Sequence, residues 1–117
     1  MTGDTDTHCL FCQIVAGTRP ARLVYQDSQV TAFRDINPQA PTHILVVPNR
    51  HLVSLSEAKE GDTPLMGVML ARAAEIARQE GLAGYRVVLN NGAEAGQSVW
   101  HLHLHLLGGR RMTWPPG

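Results

Sequence analysis

The chain has no excess charge of either sign: its 117 residues carry ten basic and ten acidic side chains. That argues against a broad nucleic-acid or anionic-membrane surface, which needs a basic field. A small phosphate ligand, held by a few local donors, stays open. No run is apolar enough, for long enough, to span a bilayer. The opening Met1-Thr2-Gly3-Asp4-Thr5-Asp6-Thr7 lacks the basic-then-apolar order of a secretory signal, so a cytoplasmic location is expected. Cysteine is scarce, with Cys9 and Cys12 the whole complement. In a reducing compartment a C-x-x-C pair is a metal half-site or a redox pair more readily than a structural disulfide. Repeats, low-complexity tracts and long linkers are also missing, and the length suits one domain. Residues 1–8 read as a flexible tail and residues 9–117 as that domain.

The elements follow from pattern. Leu10 to Ala16 suits a short helix closed by Gly17, with Pro20 beyond it. Leu23–Gln26 and Val30–Phe33 read as two strands of a hairpin, Asp27-Ser28-Gln29 being of loop length. His43–Val47 is an apolar run bounded by Pro41 and Pro48, the mark of a central strand. One long helix is expected from about Pro64 to Glu80, capped by Asp62 or Thr63 and stopped by Gly81. Leu65, Val68, Met69, Ala73, Ile76 and Ala77 form its core stripe. Tyr85–Leu89 is a further strand, and a last one follows. Strands with one segregated long helix predict an α+β domain with a mostly antiparallel sheet.

That last strand carries the strongest signal. In His101-Leu102-His103-Leu104-His105-Leu106-Leu107, strand alternation puts three imidazoles on one face, about 7 Å apart, and leucines on the other. The leucine face packs. The histidine face has no packing reason, and groups titrating near neutrality serve as nucleophile, proton shuttle or metal ligand. A metal enzyme built on all three is disfavoured, because no Asp or Glu follows Glu94 to complete such a site. Just upstream, Asn90–Ser98 is rich in glycine, small residues and amides. It is either a simple turn or a loop that points backbone N–H groups at an anion. Cys9-Leu10-Phe11-Cys12 has the spacing of half a tetrahedral zinc site, with His51, His101 or His8 as candidate partners. A buried thiol pair and a redox pair are the other readings. Asp35 ends a strand beside a turn-rich loop, where it caps the turn or accepts hydroxyls of a ribose.

The H-φ-H-φ-H-φ-φ motif (φ apolar) resembles the signature of the histidine triad superfamily of nucleotide hydrolases and transferases. The likeness extends to Phe33-Arg34-Asp35-Ile36-Asn37-Pro38-Gln39-Ala40-Pro41-Thr42-His43, Val47-Pro48, Asn90-Asn91-Gly92 and Gly96-Gln97-Ser98-Val99. Leu107-Gly108-Gly109-Arg110 and Met112-Thr113-Trp114-Pro115-Pro116-Gly117 match as well, so residues 9–117 look like the Hint branch.

The resemblance implies a homodimer whose subunits carry a five-stranded, mostly antiparallel sheet with one long and one short helix. It implies a purine nucleotide site for AMP or GMP derivatives, and cleavage of the P–N bond of nucleoside phosphoramidates. His103 matches the nucleophile, which forms a nucleotidyl-histidine that water then cleaves. His105 matches a phosphate donor, Ser98 the group bonding the phosphate or leaving nitrogen, and His43 the fourth histidine of the site. Phe11, Ile14, Phe33 and Ile36 match the walls of the base pocket and Asp35 the ribose carboxylate. Asn90, Gln97 and Val99 match phosphate-side contacts, and Trp114 a tail residue reaching the partner's site. Bacterial triad proteins with a similar cysteine pair hold structural Zn2+, which implies Cys9, Cys12, His51 and His101 as ligands here. Arg19 departs from the aliphatic pocket residue of many eukaryotic relatives. The superfamily also contains dinucleoside polyphosphate hydrolases and nucleotidyl transferases, and a non-catalytic nucleotide binder is a further alternative. The glycine pair and the tryptophan-proline ending favour the Hint branch.

Overall fold

The structure is a computed structural model and describes residues 6–117. The first five residues of the expected tail lie outside the described residues. Asp6-Thr7-His8 form a turn in which Cys9 N–H donates to the Asp6 carbonyl and the Gln13 amide to that of Thr7.

The short helix α1 (Leu10–Ala16) is capped by the Cys9 sulfur, which accepts from Cys12 N–H, and by Gly17 at φ +80. Strands β1 (Leu23–Gln26), β2 (Val30–Arg34) and β3 (Thr42–Pro48) form an antiparallel meander. Helix α2 (Thr63–Gln79) then crosses the sheet, with Pro64 in its first turn and Gly81 at φ +73 just beyond its end. Strands β4 (Tyr85–Val88) and β5 (Leu104–Gly108) complete an all-antiparallel sheet of order β1-β2-β3-β5-β4. The α+β class, the five strands and the two helices are as expected, with bounds displaced by a residue or two except at the start of the last strand, which begins three residues late.

Strand alternation sorts the two faces. Val30, Ala32, Ile44, Val46, Leu104 and Leu106 point to α2, where they enclose Met69, Ala73, Ile76 and Ala77 in the main core. The opposite face carries Phe33, Leu45 and Val47 against Phe11 and Ile14 of α1. Because β5 pairs with β3 as Leu45↔His105 and His43↔Leu107, both His43 and His105 fall on the α1 face as diagonal neighbours.

The hairpin loop is organised by Asp27. Its carboxylate accepts from Gln29 N–H, Val30 N–H, the Tyr25 hydroxyl and Arg72 of α2. Burial works against the charge, but these donors prevail and hold the carboxyl well below the usual range.

One expectation is corrected. The alternation itself holds, since Leu102, Leu104 and Leu106 enter the α2 core while Phe11 packs on His101 and His103, but the paired strand β5 begins only at Leu104 and contains just one of the three triad histidines. Continuing the β3–β5 register would set Leu102 opposite Pro48, which has no N–H to donate, so the ladder stops there. Leu102 N–H donates instead to the Leu52 carbonyl. His101 and His103 therefore lie on an extended lead-in, His101 fully buried and His103 nearly so.

Ile76 is fully buried between α2 and the sheet, within the main apolar core. Ile76→Ala is expected to cost about 2–5 kcal/mol, read as a shift of the urea midpoint, with little change in m.

Candidate functional site

Two side-chain clusters meet at His101. The first joins Cys9 and Cys12 at the start of α1 to His51, just past β3, and to His101. Their Sγ and Nδ1 atoms all lie within 4.8 Å of one another. The Cys9 sulfur is 3.3 Å from His101 Nδ1, Cys12 is 3.3 Å from His51 Nδ1 and 3.5 Å from His101 Nδ1, and the two Nδ1 atoms are 3.3 Å apart. A tetrahedron with metal–sulfur bonds of about 2.3 Å and metal–nitrogen bonds of about 2.0 Å has edges of roughly 3.3–3.8 Å, so the donor set fits zinc. The outer partner is also present: His101 Nε2–H donates to the Pro48 carbonyl at 2.8 Å, which leaves the Nδ1 lone pair facing the cluster. Burial pushes His101 down to about 4, keeping it a neutral ligand. Burial and a hydrogen bond with the neighbouring Cys9 push the Cys12 thiol up to about 11, so a thiolate there needs a cation to carry its charge. These four residues form a structural zinc site, closed by four protein ligands. His8, the other candidate ligand, stands outside it, exposed on the preceding turn.

The second cluster is His43, His103 and His105 with Asp35. Its tautomers follow from hydrogen bonds. Gln39 N–H donates to His43 Nδ1 at 3.0 Å, so the His43 proton sits on Nε2. That proton points at His105 Nδ1, 2.9 Å away, and His105 accordingly carries its proton on Nε2. His103 donates from Nδ1 to the His101 carbonyl at 2.7 Å, which leaves its Nε2 as a bare lone pair. The His103 and His105 rings lie 5.0 Å apart, and Phe11 packs edge-on against His103 at 5.1 Å. Burial lowers His43 and His103. Burial first, then the neighbouring His103 and His43 imidazoles, lower His105 to about 4. The site is thus a set of neutral imidazoles at pH 7.

Asp35 does what its position in a turn suggests: Oδ1 accepts from Asn37 N–H at 2.8 Å. Its other oxygen lies 3.4 Å from His43 Nε2. Beside it opens a cavity of about 310 Å³ walled by Phe11, Ile14, Phe33, Leu45 and Val99. Ile36 stands fully exposed at its rim. On the far side of Val99, Ser98 lines a second cavity with His51 and Trp100. Asn90 is half-buried at the start of the glycine-rich loop. Gln97, by contrast, is spent internally: its carbonyl oxygen accepts from Gly92 N–H and its amide donates to the Val53 and Val99 carbonyls. It shapes the loop, with both amide protons used and one lone pair of its oxygen remaining. Trp114 is 82% exposed on the tail. Three groups escaped the sequence reading, namely the carbonyls of Pro48 and His101 and the N–H of Gln39. All are backbone atoms, on which side-chain type carries no signal.

Two outcomes test this geometry. The purified chain is expected to hold one zinc ion, and Cys12→Ala to lose it with a fall in thermal midpoint; metal analysis and thermal denaturation check both. For His105, the folded group titrates near 4 and the unfolded one near 6.5. Between those values the unfolded chain binds a proton that the folded chain refuses, so stability falls as pH drops through the window. Urea midpoints measured from pH 7 to 4.5 should show this decline, and a shallower one in His105→Asn.

The comparisons with known proteins agree with this geometry. Residues 16–112 match the profile of the HIT domain. A 14 kDa zinc-binding protein of Zea mays is 50% identical over 115 residues, covering 96% of this chain and 90% of the relative. Among solved structures, a HIT family hydrolase from Legionella pneumophila superposes with a TM-score of 0.92 at 50% identity, covering 93% of this chain and 99% of that one. A zinc-bound histidine triad family protein from Mycobacterium smegmatis does so at 0.75 and 35% identity, covering 87% and 75%. With its buried Cys2His2 cluster abutting the histidine site, the chain belongs to the histidine triad (HIT) family and is one of its zinc-site members.

Proposed function

We propose that this chain is a nucleotide-binding hydrolase that cleaves the P–N bond of purine nucleoside 5'-phosphoramidates such as AMP-lysine. The observation that carries the reading is the hydrogen bond from His103 Nδ1 to the His101 carbonyl. It fixes the ring and leaves Nε2 unprotonated, on an imidazole packed against Phe11, which walls the cavity of about 310 Å³.

In this reading His103 Nε2 attacks the α-phosphorus and the P–N bond breaks. The amine departs with a proton, and water then hydrolyses the nucleotidyl-His103 bond, freeing AMP or GMP and restoring the imidazole. His105, held by the His43 proton, turns its own Nε2–H toward the phosphate and stabilises the charge that develops there. Ser98 bonds the phosphate or the leaving nitrogen. Asn90 and the backbone at Val99 contact the phosphate side, and the free lone pairs of Asp35 take the ribose hydroxyls. Phe11, Ile14, Phe33 and Ile36 enclose the base.

The working unit is a homodimer in the cytoplasm. Leu70 is 54% and Tyr85 42% exposed beside an apolar groove between α2 and β4, which supports an apolar dimer face there. Trp114 reaches the partner's site across it. A reducing compartment suits the zinc thiolates. Among the described residues no helix is long and apolar enough to cross a membrane.

The test is AMP release from an adenosine–lysine phosphoramidate. The wild type is expected to turn over, while His103→Ala loses turnover by a factor of at least about 10³ and still binds AMP. Equal turnover by both proteins would sink the assignment of the nucleophile. AMP binding without turnover by either would leave a binding protein.

A further inference from the structure

The cavity between α1 and β2 is walled by carbon, but three charged side chains stand at its edge: Asp35, Arg34 and Arg19. The first two do not offer a free donor group. Arg34 forms a two-pronged ion pair with Glu80 of the α2 end, at 3.0 and 3.1 Å. Asp35 accepts from Asn37 N–H at one oxygen and, as a carboxylate, has no proton to donate. Arg19 is exposed, and among the described residues its guanidinium has no hydrogen bond or ion pair. It is therefore the charged group at this cavity with hydrogen-bond donors left to spend on a ligand. Its place is also defined. Gly17 ends α1 two residues earlier, and Pro20 follows at once, disfavouring helical backbone at Arg19.

We infer that Arg19 makes the base pocket selective for guanine over adenine. The inference rests on the purine-nucleotide reading of the cavity. A guanidinium offers five donors in a planar fork and no acceptor. Guanine presents two adjacent acceptors, O6 and N7, which such a fork engages together. Adenine presents N7 beside the N6 amino group, so one prong of the fork meets a donor and goes unsatisfied. The remaining walls are apolar and take either base without distinction, so the choice falls to the polar group at the rim. Water reaches Arg19, which keeps the discrimination at the lower end of what a bidentate pair supplies, about tenfold in affinity.

Titration calorimetry of GMP, IMP and AMP against the zinc-loaded wild type and Arg19→Met tests the inference. IMP keeps O6 and N7 and lacks the guanine amino group. GMP and IMP are expected to bind the wild type about tenfold more tightly than AMP. In Arg19→Met the three should converge to within about twofold, through weaker GMP and IMP rather than tighter AMP. Several results would overturn it: equal affinities in the wild type, a preference that survives the substitution, IMP behaving like AMP, or an equal loss for all three. That last outcome would make Arg19 a general phosphate attractor. Failure of every purine nucleotide to bind the wild type would overturn the nucleotide reading and this inference together, whereas binding without preference overturns the role of Arg19 alone.

Discussion

The hydrogen bond from His101 to the Pro48 carbonyl is the contact on which most of the site depends. It fixes which nitrogen of His101 faces the cysteines, and so decides that the Cys2His2 cluster can accept a cation. It also closes the gap where the β3–β5 ladder ends. The His101 carbonyl, held in place as a consequence, accepts the Nδ1 proton of His103. One buried imidazole thus joins the end of β3, the start of α1 and the ring beside it.

The zinc site accordingly reaches beyond its four ligands. Cys9 and Cys12 bracket Phe11, which packs on His101 and His103 and on Phe33 of β2. A helix of seven residues is too short to hold itself in water. Metal ligation on one side and the Phe33–Leu45–Val47 surface on the other hold α1 where it walls the cavity. The cavity and the metal centre are two consequences of one docking event.

Much of this was legible in the chain. The stripe in α2, the hairpin around Asp27, the central strand before Pro48 and the C-x-x-C half-site each have a local period or spacing that physics reads directly. The histidine spacing pointed to chemistry and to a common side for the three imidazoles, but not to where the paired strand begins. Pro48 on the neighbouring strand stops the ladder at Leu104, so His101 and His103 lie on an extended lead-in that keeps the alternation without the pairing. Gln97 entered as a phosphate-side contact through the family resemblance, and its side chain also shapes the glycine-rich loop, which the residue type alone does not reveal. The role of Gly109 is equally invisible from spacing: at φ +89, a Cβ there would lie 2.9 Å from the Pro41 side chain.

The sequence by itself determined the element order, the core stripes and the inventory of reactive groups, because periodicity and residue chemistry are local properties. Only the tertiary structure decided which nitrogen of each histidine carries a proton, which histidines join the cysteines, and that His43 and His105 face one another. Those outcomes depend on backbone carbonyls and amides brought in from strands distant in the chain. Such atoms are the same in every residue, so only their arrangement in space distinguishes one from another.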